Sequence, residues 1–303
     1  MGRLALVFAG QGAQTPGMGR EIYQTSAAAK QVFDECEATL PGVKALCFEG
    51  PKDQLNLTVN TQPCLFAADM ACANALLEVG VKADGVAGFS LGEVAAASYA
   101  GFFDQEDAFE FVRSRAEAMH ECSTTHPGTM FAVFGLPASQ VETLSLAIGP
   151  VYPVNYNYPG QTVVACPMDV ASAVSQAVVA AGGKAVRLAV SGAFHSALMN
   201  EAAHRLAAVA ASTHFETGSI PVYANVTGRP YGDPKTLLAE QVNHPVRWQL
   251  TIENMIADGF DTFVEVGPGT TLTSFISKIN PSVRTASVRD HDSLIATRKM
   301  LDA

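Results

Sequence analysis

The chain has 303 residues, enough to bury the core of one large domain or of two smaller ones. Its hydrophobic fraction of 48% and charged fraction of 16% exclude an intrinsically disordered chain. The formal net charge of −10 argues against non-specific nucleic-acid binding, and an acidic protein partner would need a local basic patch.

The cysteines and the apolar segments indicate the compartment. None of the six cysteines forms a C-x-x-C pair or a Cys/His cluster with metal spacing, so we expect buried free thiols and no metal site. No apolar stretch approaches the roughly 20 residues of a membrane span, and the apolar run after Arg3 is too short for a signal peptide. We therefore expect a soluble, cytoplasmic protein that binds neither membrane nor nucleic acid.

The first predicted element is a strand at residues 4–8, whose unbroken apolar run is typical of a parallel strand buried on both faces. A glycine-rich loop from Gly10 to Gln14 follows at the carboxyl end of this strand, where open α/β sheets bind ligands. The loop matches neither the P-loop nor the dinucleotide fingerprint, so it indicates nucleotide binding only weakly. Amphipathic helices are predicted next, at residues 27–40 and 62–79.

A serine flanked by glycines, within the segment Gly88 to Gly92, is the centre of the predicted chemistry. A predicted strand at 79–87 precedes it, and an alanine-rich helix at 93–100 follows. This order is typical of a nucleophile elbow, in which the glycines permit a sharp turn and Ser90 projects into a cleft. The N–H of Leu91, at the positive end of the helix, would then face the oxygen of an attacked carbonyl. A purely structural Gly-Ser turn is the alternative.

The next predicted helix runs from Asp104 to about Cys122 and carries two arginines on different faces. Arg113 has carboxylates at i−3 and i+4 and is predicted to be solvated. Arg115 lies about 200° away and follows the apolar rhythm shared with Met119, so it is predicted to point inward. A buried guanidinium keeps its charge and needs an anion. From the spacing alone, a core Asp or Glu in a structural ion pair is as good a candidate as a ligand.

The pattern changes after His126-Pro127-Gly128. Strands and helices then follow in the order β-α-β-β-α-β, which is typical of a ferredoxin-like fold. The predicted strands are at 130–135, 151–156, 161–166 and 185–190, and the predicted helices are at 137–147 and 168–181. We therefore predict a small subdomain at residues 127–191, inserted into a large subdomain formed by residues 1–126 and 192–303.

The chain returns to the large subdomain at His195, directly before a predicted helix at 198–211. A histidine at a helix start is more often structural than catalytic, but the junction of two domains is a common place for an active site. A strand at 222–226, a helix at 235–242 and a last central strand at 262–266 complete the predicted elements.

Six segments occur together in an order and spacing that one family shares. They are Gly10-Gln11-Gly12-Ala13-Gln14, Gly88-Phe89-Ser90-Leu91-Gly92-Glu93, Arg115 with Met119, Gly192-Ala193-Phe194-His195-Ser196, Asn243-His244-Pro245-Val246-Arg247-Trp248 and Glu265-Val266-Gly267-Pro268-Gly269. Over nearly its whole length the chain resembles the bacterial malonyl-CoA:acyl carrier protein transacylases and the acyltransferase domains of polyketide synthases. The resemblance implies an α/β fold with a large α/β-hydrolase-like subdomain, a mainly parallel sheet and an inserted ferredoxin-like α+β subdomain.

The resemblance also implies a ping-pong reaction, in which malonyl passes from coenzyme A to Ser90 and then to the phosphopantetheine thiol of acyl carrier protein. His195 would be the general base, oriented by a backbone carbonyl near Gln241 instead of a third triad acid. The backbone N–H groups of Gln11 and Leu91 would form the oxyanion hole. No cofactor is implied, and we expect a monomer.

Under the same resemblance, the anion that Arg115 needs would be the malonyl carboxylate, bound bidentately, with Met119 also lining the substrate site. Phe194 resembles the malonyl-specific form of its motif, because a bulky ring leaves little room for an α-methyl group. Phe89 departs from the family, which usually has histidine before the serine. The wall of the acyl pocket becomes more apolar there, which leaves the fine substrate preference open.

Other functions stay open at this point. A serine hydrolase or thioesterase would share the elbow but transfer the acyl group to water, and release of free malonate would indicate it. An acyltransferase for another extender unit would share the whole site. A non-catalytic docking module would leave Ser90 unlabelled by malonyl-CoA.

A carrier protein would bring an acidic helix to the mouth of the cleft, where basic residues should receive it. The candidates are Lys184, Arg187, Lys278 and Arg284.

Overall fold

The computed structural model describes residues 2–302 as two β-sheets with helices packed against them. The strands are β1 (Arg3–Phe8), β2 (Gly85–Gly88), β3 (Gly128–Phe134), β4 (Tyr152–Tyr158), β5 (Gln161–Pro167), β6 (Lys184–Arg187), β7 (Val222–Tyr223), β8 (Phe260–Val266) and β9 (Arg284–Val288). The helices are α1 (Arg20–Thr25), α2 (Ala27–Thr39), α3 (Val43–Glu49), α4 (Lys52–Leu55), α5 (Thr58–Glu78), α6 (Leu91–Tyr99), α7 (Gln105–Thr125), α8 (Ala138–Ile148), α9 (Ala171–Ala180), α10 (Asn200–Ser212), α11 (Pro234–Glu240), α12 (Trp248–Ala257), α13 (Thr271–Ile279) and α14 (His291–Asp302). Short 3₁₀ turns cover Met168–Val170, Ala197–Met199 and Gln241–Asn243.

The first sheet is parallel throughout, with the strand order β7-β2-β1-β8-β9. Its central strand β1 is buried on both faces from Ala5 to Phe8, as its apolar sequence predicts. Phe8 pairs with Gly88 on one side and with Val266 on the other. The carboxyl ends of three strands therefore lie side by side, and the loops that follow them meet at one edge of the sheet.

The second sheet is antiparallel, with the strand order β4-β5-β3-β6. Helices α8 and α9 cover one face, where Val141 and Val178 share an apolar core with Val133 and Val164. The predicted β-α-β-β-α-β order is confirmed, and so is the combination of a mainly parallel sheet with a smaller α+β sheet. The residue boundaries of the two subdomains stay predictions.

Strand β4 joins the second sheet to the rest of the chain. The N–H of Tyr156 donates to the carbonyl of Val246 at 2.9 Å, and the N–H of Val246 donates to the carbonyl of Val154 at 2.8 Å. The segment that precedes α12 therefore runs along β4 like a short extra strand. This pairing places the second sheet beside the carboxyl edge of the first.

Two of the predicted strands are shorter in the structure. The strand predicted at 79–87 is confined to β2, because Val79 ends α5 and Gly80 turns the chain with a φ of +81°. The strand predicted at 222–226 is limited to the two residues of β7, since the chain turns away after Tyr223. The strand predicted at 262–266 is central in the sheet but not last in the chain, because β9 follows it at the sheet edge.

All six cysteines are buried free thiols, as predicted. Within residues 2–302, no helix combines the length and the apolar composition needed to cross a membrane. The same part of the chain contains no group of three or more His, Cys, Asp or Glu side chains that could hold a metal ion.

Candidate active site

Strand β2 and helix α6 meet at Ser90 in a sharp turn. Ser90 has a φ of 55° and a ψ of −107°, a backbone conformation that residues other than glycine rarely adopt. The flanking glycines are required by close backbone contacts. A Cβ atom on Gly88 would lie 1.9 Å from the carbonyl carbon of Gly92, and one on Gly92 would lie 2.2 Å from the carbonyl oxygen of Phe8. The strand–turn–helix geometry predicted for a nucleophile elbow is therefore present.

Asn225 holds this turn from the chain that follows β7. Its Oδ1 accepts from the backbone N–H of Ser90 at 2.8 Å, and its Nδ2 donates to the carbonyl of Gly88 at 2.7 Å. A side chain that pairs with backbone groups on both sides of a strained residue fixes that residue's orientation. The sequence analysis missed Asn225, although a polar residue directly after a strand of the same sheet is a recognisable signal.

The Ser90 hydroxyl contacts both a histidine and an arginine. Its Oγ lies 2.8 Å from Nε2 of His195, whose Nδ1 lies 2.8 Å from the backbone carbonyl oxygen of Gln241. Nη2 of Arg115 donates to the same Oγ at 3.0 Å. Because arginine can only donate, the hydroxyl accepts from Arg115 and directs its own proton to Nε2. The ring proton then lies on Nδ1, and His195 is a neutral acceptor next to the hydroxyl.

His195 stays neutral for physical reasons. Burial lowers the pKa of His195 to about 4, the nearby Arg115 cation lowers it further, and the backbone contacts with Gln241 and His244 act in the opposite direction. The side chain is almost completely buried and its φ is 62°. A neutral imidazole in contact with a hydroxyl can accept its proton at any pH well above 4.

Arg115 is a buried cation without a carboxylate partner. Only 1% of the residue is exposed, and its Nη1 donates to Oε1 of Gln62 at 2.7 Å while its Nη2 donates to Oε1 of Gln241 at 2.7 Å. Its Nε has no hydrogen-bond partner among the described residues. Burial lowers the pKa of Arg115 to about 10. The alternative of a structural ion pair with a core Asp or Glu is therefore wrong, because all its partners are neutral oxygens.

Gln62 and Glu93 are two further members of the cluster that the sequence analysis did not single out as site residues. Gln62 lies in α5 and bridges Arg115 to Met119, because its Nε2 donates to the Met119 sulfur at 3.4 Å. Glu93 lies in the first turn of α6 and accepts from Nε2 of Gln241 at 2.6 Å. Nothing in a local pattern distinguishes Gln62, since its role depends on a contact across 53 residues.

The two predicted oxyanion donors lie on either side of the turn. A Cβ atom on Gly10 would be 2.4 Å from the backbone oxygen of Phe89, so the first glycine-rich loop touches the elbow. Gln11 follows at once, and its side chain donates to Oγ1 of Thr58 at 3.3 Å. In the described chain, the backbone N–H groups of Gln11 and Leu91 donate to no protein oxygen. Both are available to a ligand.

A cavity of about 210 Å³ opens beside the elbow, between the two sheets. Its lining includes Gln11, Phe89, Asn155, Leu188 and Phe275. The Phe89 ring packs against Trp248 and Phe275, with ring centroids 5.6 and 6.4 Å away, which makes this wall apolar. The cavity has the concave, mixed apolar and polar character of a small-molecule site.

Phe194 and Met119 are both buried, the first directly before His195 and the second behind Gln62. The structure places Met119 against the glutamine that holds Arg115. Phe194 packs against Gly192, where a Cβ atom would lie 3.0 Å from the ring.

Three of the four basic docking candidates lie on the cavity side of the molecule. Lys278 stands over the ring of Tyr158 at 4.3 Å, and that ring packs against the cavity residue Phe275 at 5.4 Å. Arg187, with Lys184 at the other end of β6, directly precedes a residue that lines the cavity. Arg284 begins β9 and pairs with Thr262, at the amino end of the sheet and away from Ser90. The prediction for Arg284 is therefore wrong.

An elbow serine, a neutral histidine and backbone donors at the carboxyl edge of a parallel sheet define an enzyme that transfers acyl groups through a serine nucleophile. The chain belongs to the acyl transferase domain family, whose model matches residues 5–291.

Similar proteins lie within one part of this family. The chain is 36% identical over 303 residues to the malonyl CoA-acyl carrier protein transacylase of Bacillus subtilis, covering 97% of this chain and 96% of that protein. The crystal structure of the malonyl CoA-acyl carrier protein transacylase from Clostridium perfringens matches with a TM-score of 0.95 and 35% identity, over 99% of this chain and 97% of that one. A type II PKS acyl-carrier protein complex with its malonyl-transacylase matches with a TM-score of 0.95 and 34% identity, over 98% and 99% of the chains. The resemblance predicted from the motifs is confirmed.

Proposed function

We propose that this chain is a malonyl-CoA:acyl carrier protein transacylase, an acyl-carrier-protein S-malonyltransferase. The observation that carries the proposal is Arg115, a buried cation that touches the Ser90 hydroxyl and has only neutral partners. A guanidinium in that position favours an acyl group that ends in a carboxylate, because such a group supplies the missing anion.

In the first half of the reaction, Ser90 Oγ attacks the thioester carbonyl of malonyl-CoA while its proton moves to Nε2 of His195. The carbonyl oxygen becomes an oxyanion, for which the N–H groups of Gln11 and Leu91 are the proposed donors. The carbon–sulfur bond then breaks, and His195 returns the proton to the departing coenzyme A thiolate. The acyl group is now an ester of Ser90.

In the second half, the same groups work in the opposite direction. His195 accepts the proton of the phosphopantetheine thiol on acyl carrier protein, and the sulfur attacks the malonyl ester of Ser90. Collapse of the second oxyanion releases malonyl-acyl carrier protein and returns the proton to Ser90. The Gln241 carbonyl keeps the ring proton on Nδ1 of His195 throughout, because it accepts from that atom at 2.8 Å.

The proposed specificity comes from three side chains. Arg115 receives the malonyl carboxylate, and the buried ring of Phe194 next to His195 limits the space for an α-methyl group. Phe89 gives the cavity an apolar wall where relatives usually have histidine, which affects the shape of the pocket and not the proton transfers.

The remaining proposals concern the setting of the reaction. We propose that the enzyme acts as a cytoplasmic monomer in fatty-acid or polyketide synthesis and uses no cofactor of its own, with the phosphopantetheine carried by its partner. The carrier protein is proposed to dock beside the cavity, against Lys184, Arg187 and Lys278. The position of Lys278 over Tyr158, one ring away from the cavity, supports this surface.

The test is intact-mass measurement after brief incubation with an equimolar mixture of acyl-CoA thioesters. We expect a single malonyl adduct, which disappears when holo acyl carrier protein is added and reappears on that protein. Ser90→Ala should abolish the adduct, and Ser98→Ala, a neighbouring serine of the same helix, should retain it. An adduct that persists in Ser90→Ala, or release of free malonate at the rate of transfer, would overturn the proposal.

A further inference from the structure

Glu93 is a buried carboxylate next to Ser90 that no step of the proposed reaction uses. It has no exposed surface, and its Oε1 accepts from the Tyr231 hydroxyl at 2.7 Å. Its Oε2 accepts from the backbone N–H of Asn225 at 3.0 Å and from Nε2 of Gln241 at 2.6 Å. Three hydrogen bonds and no ion pair within residues 2–302 hold this carboxylate in the protein interior, where isolated charges are costly.

The Gln241 side chain can take only one orientation beside this carboxylate. Its Nε2 donates to Oε2 of Glu93 and to the backbone oxygen of Ser90 at 2.9 Å, and its Oε1 accepts from Nη2 of Arg115. If the amide turned over, its oxygen would face the carboxylate and its NH₂ group would face the guanidinium. Both contacts would become repulsive, so Glu93 decides which end of the amide Arg115 meets.

Glu93 is thus linked to the two groups that bind and activate the substrate through a single residue. The Gln241 side chain contacts Arg115, and the Gln241 backbone carbonyl accepts from Nδ1 of His195. The guanidinium has neutral partners on all sides, so the direction in which it presents its donors depends on Gln62 and Gln241 alone. A misplaced amide would leave it free to turn away from an incoming carboxylate.

We propose that Glu93 is a positioning residue which, through the Gln241 amide, holds the Arg115 guanidinium in the orientation that receives the acyl carboxylate. The inference rests on the proposed function and deepens it, because it assigns the malonyl preference to a chain of three residues and not to Arg115 alone.

The inference makes the preference dependent on pH. Burial raises the pKa of Glu93 to about 7, opposed by the hydrogen bonds from Gln241, Tyr231 and Asn225 and by the Arg115 cation. The titratable groups that face Glu93 are Arg115 from α7 and Tyr231 from the chain after β7. A protonated Glu93 can itself donate to the amide, so Gln241 is free to turn over. The malonyl preference should therefore weaken as the pH falls through 7.

The experiment compares Glu93→Gln with Tyr231→Phe, which removes the bond to Oε1 and leaves the Gln241 contact in place. Time-resolved intact mass at pH 8 gives kcat/KM for acylation by malonyl-CoA and by acetyl-CoA. We expect the malonyl-to-acetyl ratio to fall about 10- to 100-fold in Glu93→Gln, the loss expected for one charge-assisted hydrogen bond. In Tyr231→Phe the ratio should stay within about threefold of wild type, because the Gln241 contact is intact. A residue needed only for folding would lower both rates equally and leave the ratio unchanged.

Two further measurements complete the test. Gln241→Leu, which keeps the backbone carbonyl that meets His195, should lose the same part of the ratio and serves if Glu93→Gln does not fold. Between pH 6 and 8.5 the ratio should rise in wild type and stay flat in Glu93→Gln. A wild-type enzyme that takes up malonyl while Glu93→Gln and Gln241→Leu keep its ratio and its pH dependence would overturn this inference alone. A wild-type enzyme that takes up no malonyl would overturn the proposed function.

Discussion

Replacing Arg115 by alanine should convert a malonyl-selective enzyme into one with little preference. The residue is 1% exposed, so a carboxylate bound to it is removed from water, and losing one partner of such a pair costs about 2–5 kcal/mol. This corresponds to a loss of roughly 30- to 5,000-fold in kcat/KM for malonyl-CoA. The acetyl group has no carboxylate and loses only the contact between Arg115 and Ser90 Oγ, which is worth about 1 kcal/mol or a factor of about five.

The assay measures the rate at which each acyl-CoA modifies the enzyme, with the folded fraction checked by circular dichroism. Arg113→Ala is a matched control, because Arg113 lies in the same helix but pairs with Glu110 at 2.8 Å on the surface. Surface pairs of this kind contribute little, so both rates should stay within about twofold of wild type. Equal losses for malonyl and acetyl in Arg115→Ala would refute the carboxylate-binding argument.

Three further predictions concern packing and protonation. Gly92→Ala should lower the free energy of unfolding by about 3 kcal/mol or more in urea denaturation, because its Cβ would lie 2.2 Å from the Phe8 oxygen, whereas Gly232→Ala meets nothing within 4 Å and should unfold like wild type. The kcat/KM for malonyl-enzyme formation should stay level from pH 8 down to about 5 and fall only near the pKa of His195 at about 4, and a fall centred at 6.5 would contradict the effect of burial. Asp69 is fully buried with neither oxygen hydrogen-bonded, and burial raises its pKa well above its usual value, so the folded state keeps a proton that the unfolded state releases above pH 4 and stability falls as the pH rises. Asp69→Asn should reduce that fall between pH 5 and 8 in thermal unfolding, and an unchanged slope would count against the assignment.

Sequence reasoning was most successful where the determinant is local. The inward direction of Arg115 follows from the 3.6-residue period of α7, and Arg113 lies on the opposite side for the same reason. The glycines around Ser90 predict a sharp turn because the backbone there tolerates no Cβ atom, which is a property of five consecutive residues. Likewise, the alternation of strands and helices after residue 127 was enough to predict the second sheet.

Boundaries were less well predicted where tertiary contacts end an element. The apolar run at 79–87 has the composition of a strand, but only Gly85–Gly88 has neighbours with which to pair. Arg284 satisfied the requirement for a basic docking residue by charge alone, and its place at the amino end of β9 removes it from the cleft. Position along a strand cannot be assigned to one end of a sheet until the pairing register is known.

The sequence by itself determined the nucleophile turn, the inward arginine and the order of the two sheets, since each depends on residues within a few positions of one another. Only the tertiary structure decided what the buried guanidinium meets. Its partners Gln62, Ser90 and Gln241 come from elements 53, 25 and 126 residues away in the chain, and none is a carboxylate. Such contacts depend on how helices and loops pack at the edge of the parallel sheet, which no local periodicity records.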